Sequence, residues 1–245
     1  HLGCRWFTAD CATWPTRGRI AIGDLDVTFV PALEYRATDY LASQPPEFAV
    51  RNRLNGTQTD ATEAWGGKIS YRGFVHTFAS LVPAAEHFQT HPEYFSEING
   101  VRVGTGAQLC LTNPGTLQVA TGSVRRWIRE SPEATIVSVS QNDCAGYCTC
   151  RECTALAEKE GSQSGPLLHF VNAIARDIAK DYPHIIIDTL AYTYTRKPPR
   201  LVKPEPNVAV RLCSIECDFN RPLDRSPFNR SFTDDIRGWN AICQR

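Results

Sequence analysis

From residue 31 onward, short β-rich runs alternate with stretches whose apolar residues recur every three or four positions, the pattern of β/α units carrying a parallel sheet. Six runs predict strands, at 33–36, 73–78, 108–111, 134–140, 185–192 and 208–213. The run at 134–140 is β-branched and nearly continuous, as buried parallel strands are. Leu117, Ala120, Val124, Trp127 and Ile128 lie at helical spacing, and Pro132 stops them. Leu167, Leu168, Val171, Ile174, Ala175 and Ile178 predict a second helix with Ser162 or Ser164 as its cap, and a third is predicted around 233–243. Asn99-Gly100 predicts a hairpin, and the four prolines in 196–206 predict loop.

Six strands with helices between the later ones fit either a doubly wound sheet or a (β/α)8 barrel. The phosphate-cradling loops that mark the open sheet are missing, and Gly104-Thr105-Gly106 reads as a plain turn. The composition of 42 % apolar and 21 % charged residues excludes a disordered chain. Lys plus Arg equals Asp plus Glu at 26 each, which removes the basic footprint of a nucleic-acid binder and points to a neutral partner. No apolar run reaches membrane-span length. The absent Met and the opening His1-Leu2-Gly3-Cys4-Arg5-Trp6-Phe7 read as a segment of a longer protein.

In a barrel the chemistry lies at the C-terminal ends of the strands. Those ends deliver Gln141, Asn142 and Asp143 from the fourth run, Glu216 from the sixth, His76 from the second and Tyr192 from the fifth. Two carboxylates facing one mouth suit glycoside hydrolysis, with Asp143 as acid and Glu216 stabilising charge or acting as base. Asn142 beside Asp143 suits a variant in which the sugar's own acetamido carbonyl is the nucleophile and Asn142 orients it. His76, Tyr192, Gln141 and the loop residue Trp65, flanked by Gly66 and Gly67, are expected to line the sugar subsites. A non-catalytic carbohydrate-binding barrel is the competing class. None of these motifs calls for an organic cofactor.

Cys144, Cys148, Cys150 and Cys153 follow Asp143 directly. Four thiolates are the number a structural zinc needs, whereas in an exported protein the same residues would form two disulfides, the reading placed ahead of zinc. Either staple would fix the loop of Asp143.

Leu2–Phe7, Glu34-Tyr35-Arg36, His91-Pro92-Glu93-Tyr94-Phe95, residues 108–114 and above all Ser138-Val139-Ser140-Gln141-Asn142-Asp143 with Cys148, Cys150 and Cys153 resemble the domain of unknown function family 4838, which overlaps glycoside hydrolase family 163. The resemblance implies a TIM (β/α)8-type barrel, about six strands of it in this chain, over residues 31–245. Residues 1–30 would be the end of a preceding small α/β domain. It also implies an exported bacterial protein with endo-β-N-acetylglucosaminidase-like action on N-glycans, and it sets Asn142-Asp143 at the end of the fourth strand, where acetamido-assisted hydrolases carry their catalytic pair.

Overall fold

The computed structural model describes residues 2–244. The chain divides into two compact units, residues 1–70 and 71–245. In the first, β1 (Arg5–Trp6) and β2 (Ala12–Thr13) form a small antiparallel hairpin, followed much later by the short helix α1 (Pro46–Arg51). The predicted strand at 33–36 is not formed. Arg36 instead donates its backbone N–H to Asn55 Oδ1 and accepts from the Asn55 N–H, so a side chain supplies half of what a ladder would.

The second unit is α/β. Its sheet has four strands in the order β3 (Ser70–Arg72), β6 (Ala134–Ser138), β7 (Ile186–Ala191), β8 (Val208–Leu212), with β6, β7 and β8 parallel. Between β3 and β6 run α2 (Phe78–Leu81), α3 (Ala84–His87), the two-residue strands β4 (Glu97–Ile98) and β5 (Val101–Arg102), and α4 (Pro114–Glu130). The predicted hairpin is present, with both Asn99 and Gly100 at positive φ as its turn requires. α4 begins where Asn113 Oδ1 accepts the N–H groups of Gly115 and Thr116, with Pro114 at the first helical position.

Two predicted strands are corrected. The run at 73–78 is a turn after β3, because Gly73, Val75 and His76 adopt positive φ and Phe78 already opens α2. The run at 108–111 contributes one antiparallel bridge, Leu109 to Phe95, while its neighbours bond to Gly146 O and Tyr94 O across loops. The Cys-rich loop hides an unpredicted helix, α5 (Arg151–Glu160), which passes through Gly161 into α6 (Ser164–Ala179). α7 (Arg230–Ile242) completes the unit, close to its predicted span.

Pleating assigns the faces of the sheet. The row Val137–Ile187–Val208 joins the core with Val124, Trp127 and Ile128 of α4 and Val171, Ile174 and Ile178 of α6. The adjacent row Ser138–Asp188–Ala209 therefore points to the opposite face, which also carries Arg211: its guanidinium lies over the rings of Phe74 and Tyr71 and donates to Tyr71 Oη at 2.9 Å. No closure of the sheet is seen among the described residues, and none of their helices is long and apolar enough to cross a membrane.

Gly73 fixes the turn that follows β3. Its φ is +70°, and a Cβ there would lie 2.6 Å from the Trp127 ring. Gly73→Ala is expected to cost about 2 kcal/mol from left-handed strain and overpacking. Thermal unfolding should show a fall in Tm of about 4–8 °C; an unchanged Tm would mean that the turn repacks freely.

Candidate active site

The turn after β3 is pinned to the end of β6. Ser140 O accepts the backbone N–H groups of Thr77 and Phe78 at 3.0 and 3.1 Å, Thr77 Oγ1 accepts the Ser140 N–H at 3.0 Å, and the Thr77 hydroxyl donates to Ser138 O at 3.0 Å. These bonds hold Val75 and His76 at φ +55° and +57°, conformations that cost about 1–3 kcal/mol each outside glycine and collect at functional sites. Thr193, directly after Tyr192, is held at +48°. Three strained residues thus flank one spot.

That spot brings together four of the predicted residues. His76 Nδ1 lies 2.8 Å from Gln141 O. A carbonyl only accepts, so Nδ1 carries the hydrogen and Nε2 faces outward, 3.9 Å from Asp143 Oδ1. Tyr192 Oη donates to the same Oδ1 at 3.1 Å, and its ring lies edge-on to His76 at 5.7 Å. The hydrogen bond to Asp143 raises the Tyr192 phenol above its ordinary value. With Nδ1 turned to Gln141 O, His76 Nε2 and Tyr192 Oη both face the same carboxyl oxygen of Asp143. A carboxyl group with 69 % of its side chain exposed is thereby kept within reach of both an imidazole and solvent. The arrangement can hold a proton and release it to a bound oxygen.

Two predicted roles change, those of Gln141 and Asn142. Gln141 cannot line a subsite, because its side chain is fully buried, donating from Nε2 to Thr195 Oγ1 and Leu190 O; its contribution is the backbone oxygen that orients His76. Asn142 is committed to the scaffold: Oδ1 accepts from Ala79 N–H at 2.9 Å and Nδ2 donates to Ala107 O at 2.8 Å. It walls a cavity of about 170 Å³ with Val82, Phe95 and Leu109, and Asp143 is not among the lining residues. Glu216 accepts from Arg196 Nη1 at 3.1 Å, and the same guanidinium binds Asp235 at 2.7 Å, so its charge is balanced while 44 % of its side chain stays exposed. Trp65 lies in the first unit, 41 % exposed on the single turn Glu63–Trp65.

The Asp143 loop is held from behind by a residue outside the motifs that point to chemistry, Gln108. Gln108 Oε1 accepts the Asn142 N–H at 2.9 Å, and its Nε2 donates to Asn142 O at 3.0 Å and Cys144 O at 2.6 Å. The backbone on both sides of Asp143 is thus clamped by one buried amide.

The chain matches the family model described as Domain of unknown function (DUF4838) over residues 6–245. It belongs to that family. No curated protein and no solved structure matches it.

Two further groups stand out in this DUF4838 chain. Asp188 on β7 is buried, with Oδ2 lacking a hydrogen bond and Arg211 Nη2 3.9 Å away, and burial pushes its carboxyl up to about 6. A lone Asp within the apolar run 185–191 was the available signal. The second group corrects the sequence reading of the cysteines. The thiols that converge are Cys110, Cys148, Cys150 and Cys153, and Cys144 is outside them, its Sγ 3.3 Å from Gln108 Nε2. None of the expected disulfides is formed among the described residues. Hydrogen bonds from Cys148 and Cys153 draw the Cys110 thiol far below its ordinary range, and the contact with Cys110 raises Cys148 to about 11.

Proposed function

We propose that this protein is a glycoside hydrolase in which Asp143 protonates the departing glycosidic oxygen. The observation that carries the reading is the convergence of His76, from the turn after β3, and Tyr192, from the end of β7, on the exposed carboxyl of Asp143 beyond β6. Consecutive parallel strands lying side by side with helices packed on one face support a TIM-type barrel, with this site on its C-terminal rim. The balanced charge suits a neutral glycan.

Asp143 is the carboxylate of the pair that no Arg or Lys among the described residues neutralises, whereas Glu216 is tied to Arg196. A site with one uncommitted carboxyl group is best served by a nucleophile from the substrate, which favours the acetamido-assisted, retaining route on β-N-acetylglucosaminides. Asn142 then acts by positioning the loop rather than by touching the acetamido group. A thiazoline mimic of the cyclised intermediate is expected to inhibit competitively, binding at least about 100-fold tighter than substrate. Failure to inhibit while glycans are still cleaved would transfer the second role to Glu216, a two-carboxylate reading favoured by the exposure of Glu216 and by its field at the Tyr192 phenol. Failure to cleave any glycan would leave a carbohydrate-binding barrel.

A further inference from the structure

We infer that Cys110, Cys148, Cys150 and Cys153 form a structural zinc site that holds the Asp143 loop in place. The four sulfurs lie within 4.8 Å of one another, with Cys110 Sγ 3.8 Å from Cys150 and 3.9 Å from Cys153. A tetrahedron of sulfurs each about 2.3 Å from zinc has edges of about 3.8 Å, whereas a disulfide needs about 2.05 Å. The spacing therefore matches shared coordination of one ion, and all four side chains are buried.

The surroundings suit four thiolates. Glu97 N–H donates to Cys148 Sγ at 3.2 Å, Arg102 Nη1 lies 3.8 Å from the same sulfur, and Thr112 Oγ1 is 3.2 Å from Cys153 Sγ. Cys150 caps α5 and Cys153 lies in its first turn, where the helix dipole favours negative charge. These donors orient and stabilise sulfur ligands from outside the metal shell, as in other metal sites.

The site also has a mechanical consequence. Cys110 is two residues beyond Gln108, the amide that grips the backbone of Asn142 and Cys144, while Cys148 closes the other end of the same loop. Joining Cys110 to Cys148, Cys150 and Cys153 through one ion ties both supports of Asp143 together across 38 residues of sequence. Zinc here touches no substrate; it fixes the residues that aim the acid.

The test uses the whole chain, purified without chelator. Elemental analysis is expected to give about one zinc per chain. Reduced, metal-free protein should take up one equivalent of Co(II) with the visible bands of a tetrahedral thiolate site. Cys144→Ser should keep both properties, and Cys110→Ser and Cys153→Ser should lose them. Because a ligand variant can fail by unfolding, the deciding arm is the unmutated chain, where chelation should expose four additional cysteines to alkylation. Mass spectrometry showing two disulfides within this set would overturn the proposal. So would folded, reduced protein that takes up neither Co(II) nor zinc, or loss of binding in Cys144→Ser.

Discussion

Asp143→Asn is expected to lower kcat on a glycan by about 100- to 10,000-fold, the range in which a positioned general acid contributes. The substitution keeps the size and most of the hydrogen-bonding capacity of the side chain, so the acceptor for Tyr192 Oη survives as an amide oxygen and the backbone clamp from Gln108 is untouched. Folding should therefore be preserved, because the side chain is mostly exposed and Tyr192 keeps its acceptor. What is lost is the carboxyl proton that the departing oxygen needs. KM should change much less than kcat, since the missing interaction is made only as the leaving oxygen gathers charge. Steady-state kinetics on the full chain, alongside circular dichroism, separate this from misfolding. Activity within a few-fold of wild type would remove Asp143 from the chemistry.

Asp188→Asn is expected to act on stability and to do so in a pH-dependent way. The carboxyl titrates at about 6 in the folded protein because it is buried, against about 3.9 in an unfolded chain. Between those values the native state keeps a proton that the unfolded state has released. Stability therefore falls as pH rises from about 4 to about 6 and stays lower above that, a contribution of about 3 kcal/mol in all. An amide cannot ionise, so the variant should match the wild type near pH 4 and exceed it by up to about 3 kcal/mol above pH 6. Arg211 retains its stacking on Phe74 and Tyr71 and its bond to Tyr71 Oη, which limits the cost of losing its carboxylate neighbour. Urea unfolding of both proteins at pH 4.5 and 7.5 measures the difference. A gap that does not widen with pH would show that the carboxyl is ionised in the fold at no cost.

Strong periodicity made the central elements legible. The apolar rows of α4 and α6 and the β-branched runs that became β6, β7 and β8 are all buried against one another, and burial is what such patterns encode. The failures lie where local geometry overrides propensity. The run at 73–78 looks like a strand because Phe74, Val75, Thr77 and Phe78 are aromatic or β-branched, yet bonds to Ser140 bend it into left-handed backbone. α5 was hidden because its sequence is polar and begins inside the cysteine cluster. For the site, strand-end position placed Asp143 and Tyr192 together, and His76 joins them from the turn after β3 rather than from the strand expected at 73–78. Residue type alone could not reveal that Asn142 and Gln141 would be consumed by the scaffold. Nor could spacing show that Cys110, 34 residues upstream of Cys144, would replace it among the converging thiols. That contact is made through tertiary packing, and no local pattern carries it.

The most direct test of Asp143 as proton donor compares leaving groups. Hydrolysis rates of an N-glycan and of an aryl β-N-acetylglucosaminide with a highly acidic phenol would be measured for the wild type and Asp143→Asn. An acidic phenol departs without protonation, so the variant should lose about 100-fold or more on the glycan yet stay within about tenfold of wild type on the aryl substrate. Equal losses on both substrates, or no loss on the glycan, would contradict the assignment.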